Sequence, residues 1–312
     1  MGVNVISENK KTRIGVVLSS GGARGVYAHT GFMQAIEQLN IEISAIAGCS
    51  AGALVGGLYA SGTDMQQWSD TIGNIHSRDY WTPDSWLKFF WRMVIKKGRG
   101  YTGVSSTGAA IDFIRRHLKV QTFEDCKIPF HCLAINITRG TKTLFGEGEL
   151  APRIMASAAI PILYRPVKIK DDLFSDGAAI ELSPTDAVCC KHDLDLLIVH
   201  HVAAHHDVKN SLNYILSQPW SLLNILYRQL YNERPWYLTK QVVSKTHCQC
   251  GCGARVIVLQ PNLAELTWPF GSKGVVLQNS AMAFGLNSLR ERIPNWIKTK
   301  NRKRDLLKAL DV

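Results

Sequence analysis

The stretch Glu42–Gly57, EISAIAGCSAGALVGG, constrains this chain more than any other. Ile41–Ala47 reads as a short strand, Gly48-Cys49-Ser50-Ala51-Gly52 as a tight turn, and Ala51–Ala60 as a helix of small apolar residues. A G-x-S-x-G turn between strand and helix presents its serine hydroxyl above the sheet, near the positive end of the following helix. The two glycines follow from that turn, because a side chain at Gly48 or Gly52 would collide with neighbouring backbone. The five-residue pattern is common by chance, so its weight comes from the elements around it.

Upstream, Ile14-Gly15-Val16-Val17-Leu18 is a β-branched apolar strand, followed by Ser19-Ser20-Gly21-Gly22-Ala23-Arg24-Gly25. Val26–Leu39 then carries Phe32, Ile36 and Leu39 at helical spacing. Strand, glycine loop, helix, strand, Ser50, helix is a parallel β-α-β unit, with both loops at the carboxyl edge of the sheet, where α/β proteins bind ligands. The loop is not a phosphate-binding loop, since no Gly-Lys-Ser/Thr follows, and Ser20 spoils a dinucleotide fingerprint. Such a loop is either just a tight turn or an oxyanion hole, with backbone N–H groups of Gly21, Gly22 and Ala23 aimed at a developing negative oxygen, and its place beside the Ser50 turn favours the hole. Arg24 either orients the loop, meets an anionic group, or is a solvated charge at a helix start.

The 312 residues allow one large α/β domain with insertions or two modest ones, and 46% apolar content argues against extensive disorder. A net charge of +11 suits an anionic membrane surface or nucleic acid. No nucleic-acid motif is present, which favours the membrane. Met1–Arg13 is polar and lysine-bearing, so residues 1–12 read as a flexible N-terminus and no secretory leader is expected. Met1-Gly2 invites a myristoylation reading, which Ile6 disfavours. No run is long enough to span a bilayer. Eight cysteines, several in apolar contexts, read as reduced thiols, and the expected location is cytoplasmic with peripheral membrane contact.

Residues 13–297 read as one domain with two insertions. The first, 80–101, mixes Trp81, Trp86, Phe89, Phe90 and Trp91 with Lys88, Arg92, Lys96, Lys97 and Arg99. It is either a membrane-surface helix or a helix packed on the core, and in either case a candidate lid or wall of an acyl pocket. The second, 211–243, spaces Trp220, Leu223, Tyr227 and Leu230 as a helix that can cover the site. Between them come a helix over Thr107–Leu118, strands over Ile128–Ile137 and up to Phe145, and a small-residue helix over Arg153–Ala159. A hairpin at Val167–Ile169 and Leu173-Phe174 leads into Ser175-Asp176-Gly177-Ala178. Strands Leu194–Val202 and Val256–Leu259, a helix Asn279–Ile297 and a basic tail over 298–312 complete the chain.

A serine needs a base. His29, His200-His201 and His205-His206 lack a helpful local context, and Asp176, in an Asp-Gly turn, is by pattern alone a turn-former. His247-Cys248-Gln249-Cys250-Gly251-Cys252 departs from C-x-x-C spacing and has no visible second half. It reads as a cysteine-rich turn, and no metal or other cofactor is expected.

The ordered set Gly21-Gly22-Ala23-Arg24-Gly25, a helix with His29 and Gly31, Gly48-Cys49-Ser50-Ala51-Gly52, Ala156–Pro166 and Asp176-Gly177-Ala178 resembles the patatin-like phospholipase family. The likeness runs from about Ile14 to His201, with weaker similarity to Leu289. It implies an α/β fold, a three-layer α/β/α sandwich with a mainly parallel central sheet. It further implies a Ser-Asp dyad without histidine: Ser50 as nucleophile, Asp176 as base, Gly21–Gly25 as oxyanion hole. A phospholipid or lysophospholipid would be the substrate, hydrolysed through an acyl-enzyme without a metal. Ser20 stands where the family has a first glycine, Ala178 where a second glycine often follows the Asp, and Asn136 where Asp is common. An acyltransferase using the same acyl-enzyme, told apart by products with and without an acceptor alcohol, and a non-catalytic membrane-binding protein, told apart by an inert Ser50→Ala change, are the rival functions.

Overall fold

The computed structural model describes residues 12–189, 191–202, 221, 225–226, 235–264, 266, 271–290 and 292–293. The N-terminus up to residue 11, most of the 211–243 insertion with Trp220, Leu223, Tyr227 and Leu230, His205-His206 and the basic tail lie outside the described residues.

The chain opens with β1 (Ile14–Leu18), α1 (Gly22–Gln38), β2 (Ala45–Cys49) and α2 (Ala51–Ser61). The β-α-β unit is therefore as read, with shifted boundaries. β2 starts later than Ile41, because the Ile41 N–H bonds back to the Ile36 carbonyl and the first bond to β1 is that of Ser44 N–H to the Ile14 carbonyl. Helix α1 starts earlier than Val26: the Gly25 N–H donates to the Gly21 carbonyl (2.8 Å), so the second half of the glycine loop is the first helical turn.

After α3 (Met65–Gly73), β3 (Thr82–Pro83), α4 (Trp86–Phe90), β4 (Gly103–Ser106) and α5 (Gly108–His117), the chain returns to the main sheet. It forms β5 (Phe130–Asn136), β6 (Thr141–Phe145) and α6 (Leu150–Ala158), whose Pro152 sits in the first turn, where its missing N–H is not needed. Then follow β7 (Ile162–Tyr164), β8 (Val167–Ile169), β9 (Asp172–Asp176), α7 (Asp186–Cys189), β10 (Leu196–His200), β11 (Val243–His247), β12 (Arg255–Leu259) and α8 (Gly271–Arg290).

The main sheet has the order β11-β12-β10-β1-β2-β5-β9-β8, with β6 on the other edge of β5. The pairs β12-β10, β10-β1, β1-β2 and β2-β5 are parallel. Strands β3, β4 and β7 form a separate small sheet that the sequence did not reveal. Side chains alternate strictly. Ile14, Val16, Leu18, Ile46, Leu196, Ile198 and Ile257 face a core shared with α1, α2, α6 and α8. Val17, Ala47, Leu197, Val199, Val256 and Val258 face the opposite side, against α7 and Tyr237. Burial on both faces explains why these strands read as continuous apolar runs, each fully buried branched side chain contributing about 1.5–3 kcal/mol. Helix α8 crosses α1 so closely that a Cβ on Gly31 would lie 2.1 Å from the Gln278 carbonyl oxygen.

The first insertion does not wall the pocket described below except through Tyr80. Helix α4 runs into a π-turn, Trp91–Ile95, and both project outward, with Trp86 75% and Leu87 80% exposed and Phe90, Trp91, Val94 and Ile95 each about half exposed. Asp84, at its base, holds Lys88 and Arg165. Among the described residues no helix is long and apolar enough to cross a membrane.

Candidate active site

Sheet register brings the distant residues together. Strand β5 pairs with β2 up to Cys49↔Leu133, where β2 ends and the chain turns into α2. Along that same edge of β5 the next residue, Ala134, pairs with Asp176, the last residue of antiparallel β9. The opposite edge is occupied from Cys132 to Asn136 by β6. Two strands thus meet end to end on one edge of β5, one delivering Ser50 and the other Asp176. Ser50 Oγ donates to Asp176 Oδ2 at 2.7 Å.

Ser50 has φ 54 and ψ −116, a conformation that L-residues avoid and that surrounding structure must enforce. The enforcement is visible: a Cβ on Gly48 would lie 2.3 Å from the Gly52 carbonyl oxygen, and one on Gly52 would lie 2.2 Å from that of Leu18. The Ser50 N–H donates to Ser157 Oγ (3.0 Å), a contact that joins the elbow to α6. In the sequence Ser157 is visible only as part of the Ala156–Pro166 stretch, with no sign of this contact.

Asp176 is 1% exposed, and its Oδ1 accepts the Ala178 N–H at 2.9 Å. Burial raises its pKa to about 6, with the Ala178 N–H and the Ser50 hydroxyl opposing the rise. It is therefore a buried carboxylate that still ionises near neutrality.

The glycine loop is narrower in its chemistry than its sequence. The Ser20 N–H donates to the Leu182 carbonyl (2.8 Å), and that of Gly25 is held by Gly21. The Arg24 guanidinium donates to the carbonyls of Val202 (3.3 Å) and Leu263 (2.8 Å), bracing the loop against the sheet edge. Gly22 and Ala23, in the first turn of α1, line the same cavity as Ser50. First-turn amides have no intrahelical acceptor and carry the positive end of the helix dipole.

The histidines are used differently. His29 Nε2 contacts the Ser19 carbonyl and its Nδ1 meets His200 Nδ1, both at 2.8 Å. Burial lowers the His29 pKa to about 4 and depresses that of His200 as well. Two neutral rings fit one proton arrangement: His29 donates from Nε2 to Ser19, and His200 donates from Nδ1 to His29. The pair fixes the strand end that carries the glycine loop. Asn136 has a comparable structural use. Its Nδ2 donates to Asp172 (2.9 Å) and its Oδ1 accepts the Arg139 N–H (3.1 Å), locking the β5–β6 turn to the start of β9.

Ser50 opens on a cavity of about 200 Å³. Its walls include Val26, Leu54, Phe113, Ile114, Met155 and Ile160. Such a lining excludes charge and accepts a hydrocarbon chain. The second half that the cysteine-rich turn seemed to lack is also present. Cys189 on α7 lies beside Cys248, Cys250 and Cys252, because α7 packs on the same face of the sheet as Cys248, Val256 and Val258.

An α/β sheet with a serine on a strand-to-helix elbow, a buried carboxylate bonded to it and an apolar cavity beside it defines a class of serine-hydrolase-like folds. The model of the family described as patatin-like phospholipase matches residues 16–188, and the chain belongs to that family. It is 26% identical over 295 residues to Lysophospholipase NTE1 of Cryptococcus neoformans, covering 91% of this chain and 17% of that protein. An uncharacterized NTE family protein of Mycobacterium tuberculosis is 29% identical over 174 residues, covering 55% of this chain and 44% of its own length. The chain thus matches 17% and 44% of the lengths of these two curated relatives, under half of each. Human GIVD cytosolic phospholipase A2 superposes with a TM-score of 0.54 at 8% identity, over 92% of this chain and 62% of that one, a likeness of fold.

Proposed function

We propose that this chain is a lipid acyl hydrolase working through a Ser50–Asp176 dyad. The hydrogen bond from Ser50 Oγ to Asp176 Oδ2 carries the reading. Asp176 takes the hydroxyl proton as Oγ attacks an ester carbonyl, and the oxyanion is held by the N–H groups of Gly22 and Ala23. Asp176 returns the proton to the departing alcohol, leaving an acyl-Ser50. Water then attacks, its proton passing through Asp176 to Oγ as the fatty acid leaves. The acyl chain lies in the apolar cavity. The substrate class we favour, a lysophospholipid, is supported by the fungal relative named a lysophospholipase.

The test is fatty-acid release from lysophosphatidylcholine, beside labelling by a fluorophosphonate mapped by mass spectrometry. We expect one label, on Ser50, and loss of both label and release in Ser50→Ala, by about 10³-fold or more. A label on another residue, or release that survives Ser50→Ala, sinks the assignment. Because the base must be ionised, kcat/KM should rise with pH through about 6, the folded-state value for Asp176. A rate flat from pH 5 to 8 would remove Asp176 as the base.

The same reading makes the exposed face of α4 and its π-turn the contact with an anionic lipid surface. Trp86, Leu87, Phe90 and Trp91 are exposed on one excursion with Arg92, Lys96 and Lys97, and Tyr80 of that excursion lines the cavity. Sedimentation with phosphatidylglycerol vesicles should fall as salt rises, and Trp91→Glu should weaken it about tenfold while soluble-ester hydrolysis persists. Equal binding by wild type and variant would leave this face without a lipid role.

A further inference from the structure

We propose that Cys189, Cys248, Cys250 and Cys252 form a structural zinc site. Cys189 ends α7, and the other three occupy the turn between β11 and β12, so two segments of chain supply the ligands. Their Sγ atoms all lie within 4.8 Å of one another. The Cys248–Cys250 and Cys189–Cys250 sulfur separations are 3.0 and 3.6 Å, well beyond the ~2.05 Å of a disulfide bond. Four thiolates around one zinc, with Zn–S bonds of about 2.3 Å, stand about 3.8 Å apart along the tetrahedron edges. The cluster needs only small side-chain adjustments to reach that geometry. It is too compact for a multi-iron cluster, whose own atoms would hold the cysteines further apart.

The turn has the shape of a ligand knuckle. The strands pair up to His247↔Arg255, and the Cys248 N–H donates to the Ala254 carbonyl at 2.9 Å. Gly251 and Gly253, with φ +79 and +75, curl the chain so that alternate cysteines turn inward. Cys189 and Cys248 are buried while Cys250 and Cys252 are exposed, which gives the ion an entry side and a floor. All four positions of the tetrahedron would be filled by protein, as in structural rather than catalytic zinc sites. On binding, the thiols release their protons to solvent as thiolates coordinate. The ion would pin the edge hairpin β11–β12 to α7. Just before α7, the Leu182 carbonyl receives the Ser20 N–H, so the clip would also steady the backbone behind the glycine loop. A ligand 61 residues away from Cys250 explains why the spacing alone did not reveal the site.

The test is metal analysis of the full chain purified with reductant and exposed to zinc, beside Cys189→Ser, Cys250→Ser and, as control, Cys126→Ser. We expect about one zinc per chain in wild type and control, and a near-complete loss in the two cluster variants. Replacement by cobalt should give the visible bands of tetrahedral thiolate coordination. Wild type without zinc after reconstitution, or Cys189→Ser binding as wild type does, overturns the four-ligand site. Should the serine variants fail to fold, a mercurial titration of wild type must release zinc in step with thiol modification, and thiols that react without releasing zinc overturn it equally. The readout is metal content, so the outcome is independent of whether the chain hydrolyses lipid.

Discussion

Asp176→Asn should abolish hydrolysis and make the protein more stable at the same time. Loss of the base removes about 10³-fold in kcat/KM. The stability gain follows from the sign of the pKa shift. The folded-state value is raised from 3.8 to about 6, so the folded chain holds this proton more tightly than the unfolded chain. The contribution of that proton is fully present below pH 4 and is lost as pH rises through about 6. At pH 8 the ionised buried carboxylate therefore costs about 3 kcal/mol, judged by a shift of about two pKa units. Asn keeps an oxygen to accept the Ala178 N–H and carries no charge, though burying its amide reclaims part of the gain. We expect a melting temperature raised by roughly 5 °C at pH 8, with the gap closing near pH 4. A variant that is inactive yet no more stable at pH 8 would show that the pocket solvates the carboxylate better than its burial implies. An active variant would remove the dyad.

Gly52→Ala should damage fold and site together. The added Cβ would meet the Leu18 carbonyl oxygen at 2.2 Å and that of Ser19 at 2.6 Å, all backbone with no rotamer to yield. Helix α2 would have to lift off the end of β1, at a cost of about 3–5 kcal/mol. The displacement falls where the elbow meets the glycine loop, so fluorophosphonate labelling should fail even in the fraction that folds. Urea unfolding of the variant gives the test: an unchanged midpoint with normal labelling would mean that α2 accommodates the methyl without leaving the end of β1.

Much of this arrangement was legible in the sequence. The β-α-β unit, the strand-to-helix turn at Ser50 and the glycine loop at a helix start all follow from residue spacing within about forty positions of chain, and the structure moves only their boundaries. The 80–101 segment was readable as amphipathic, but its two alternatives, packed or exposed, differ only in what lies next to it. The three-stranded β3-β4-β7 sheet was missed because strands this short carry no period-2 signal.

The sequence by itself therefore determined what each local segment is, because chain connectivity fixes φ/ψ preference and periodicity over a few residues. Tertiary structure alone decided which distant groups meet. Asp176 reaches Ser50 only because β9 continues the edge of β5 where β2 stops, a matter of hydrogen-bond register. Ser20 and Gly25 spend their N–H groups on Leu182 and Gly21, and Cys189 joins the cysteine turn, for the same kind of reason. Partners separated by tens to hundreds of residues are set by strand order and packing, and no local pattern encodes them.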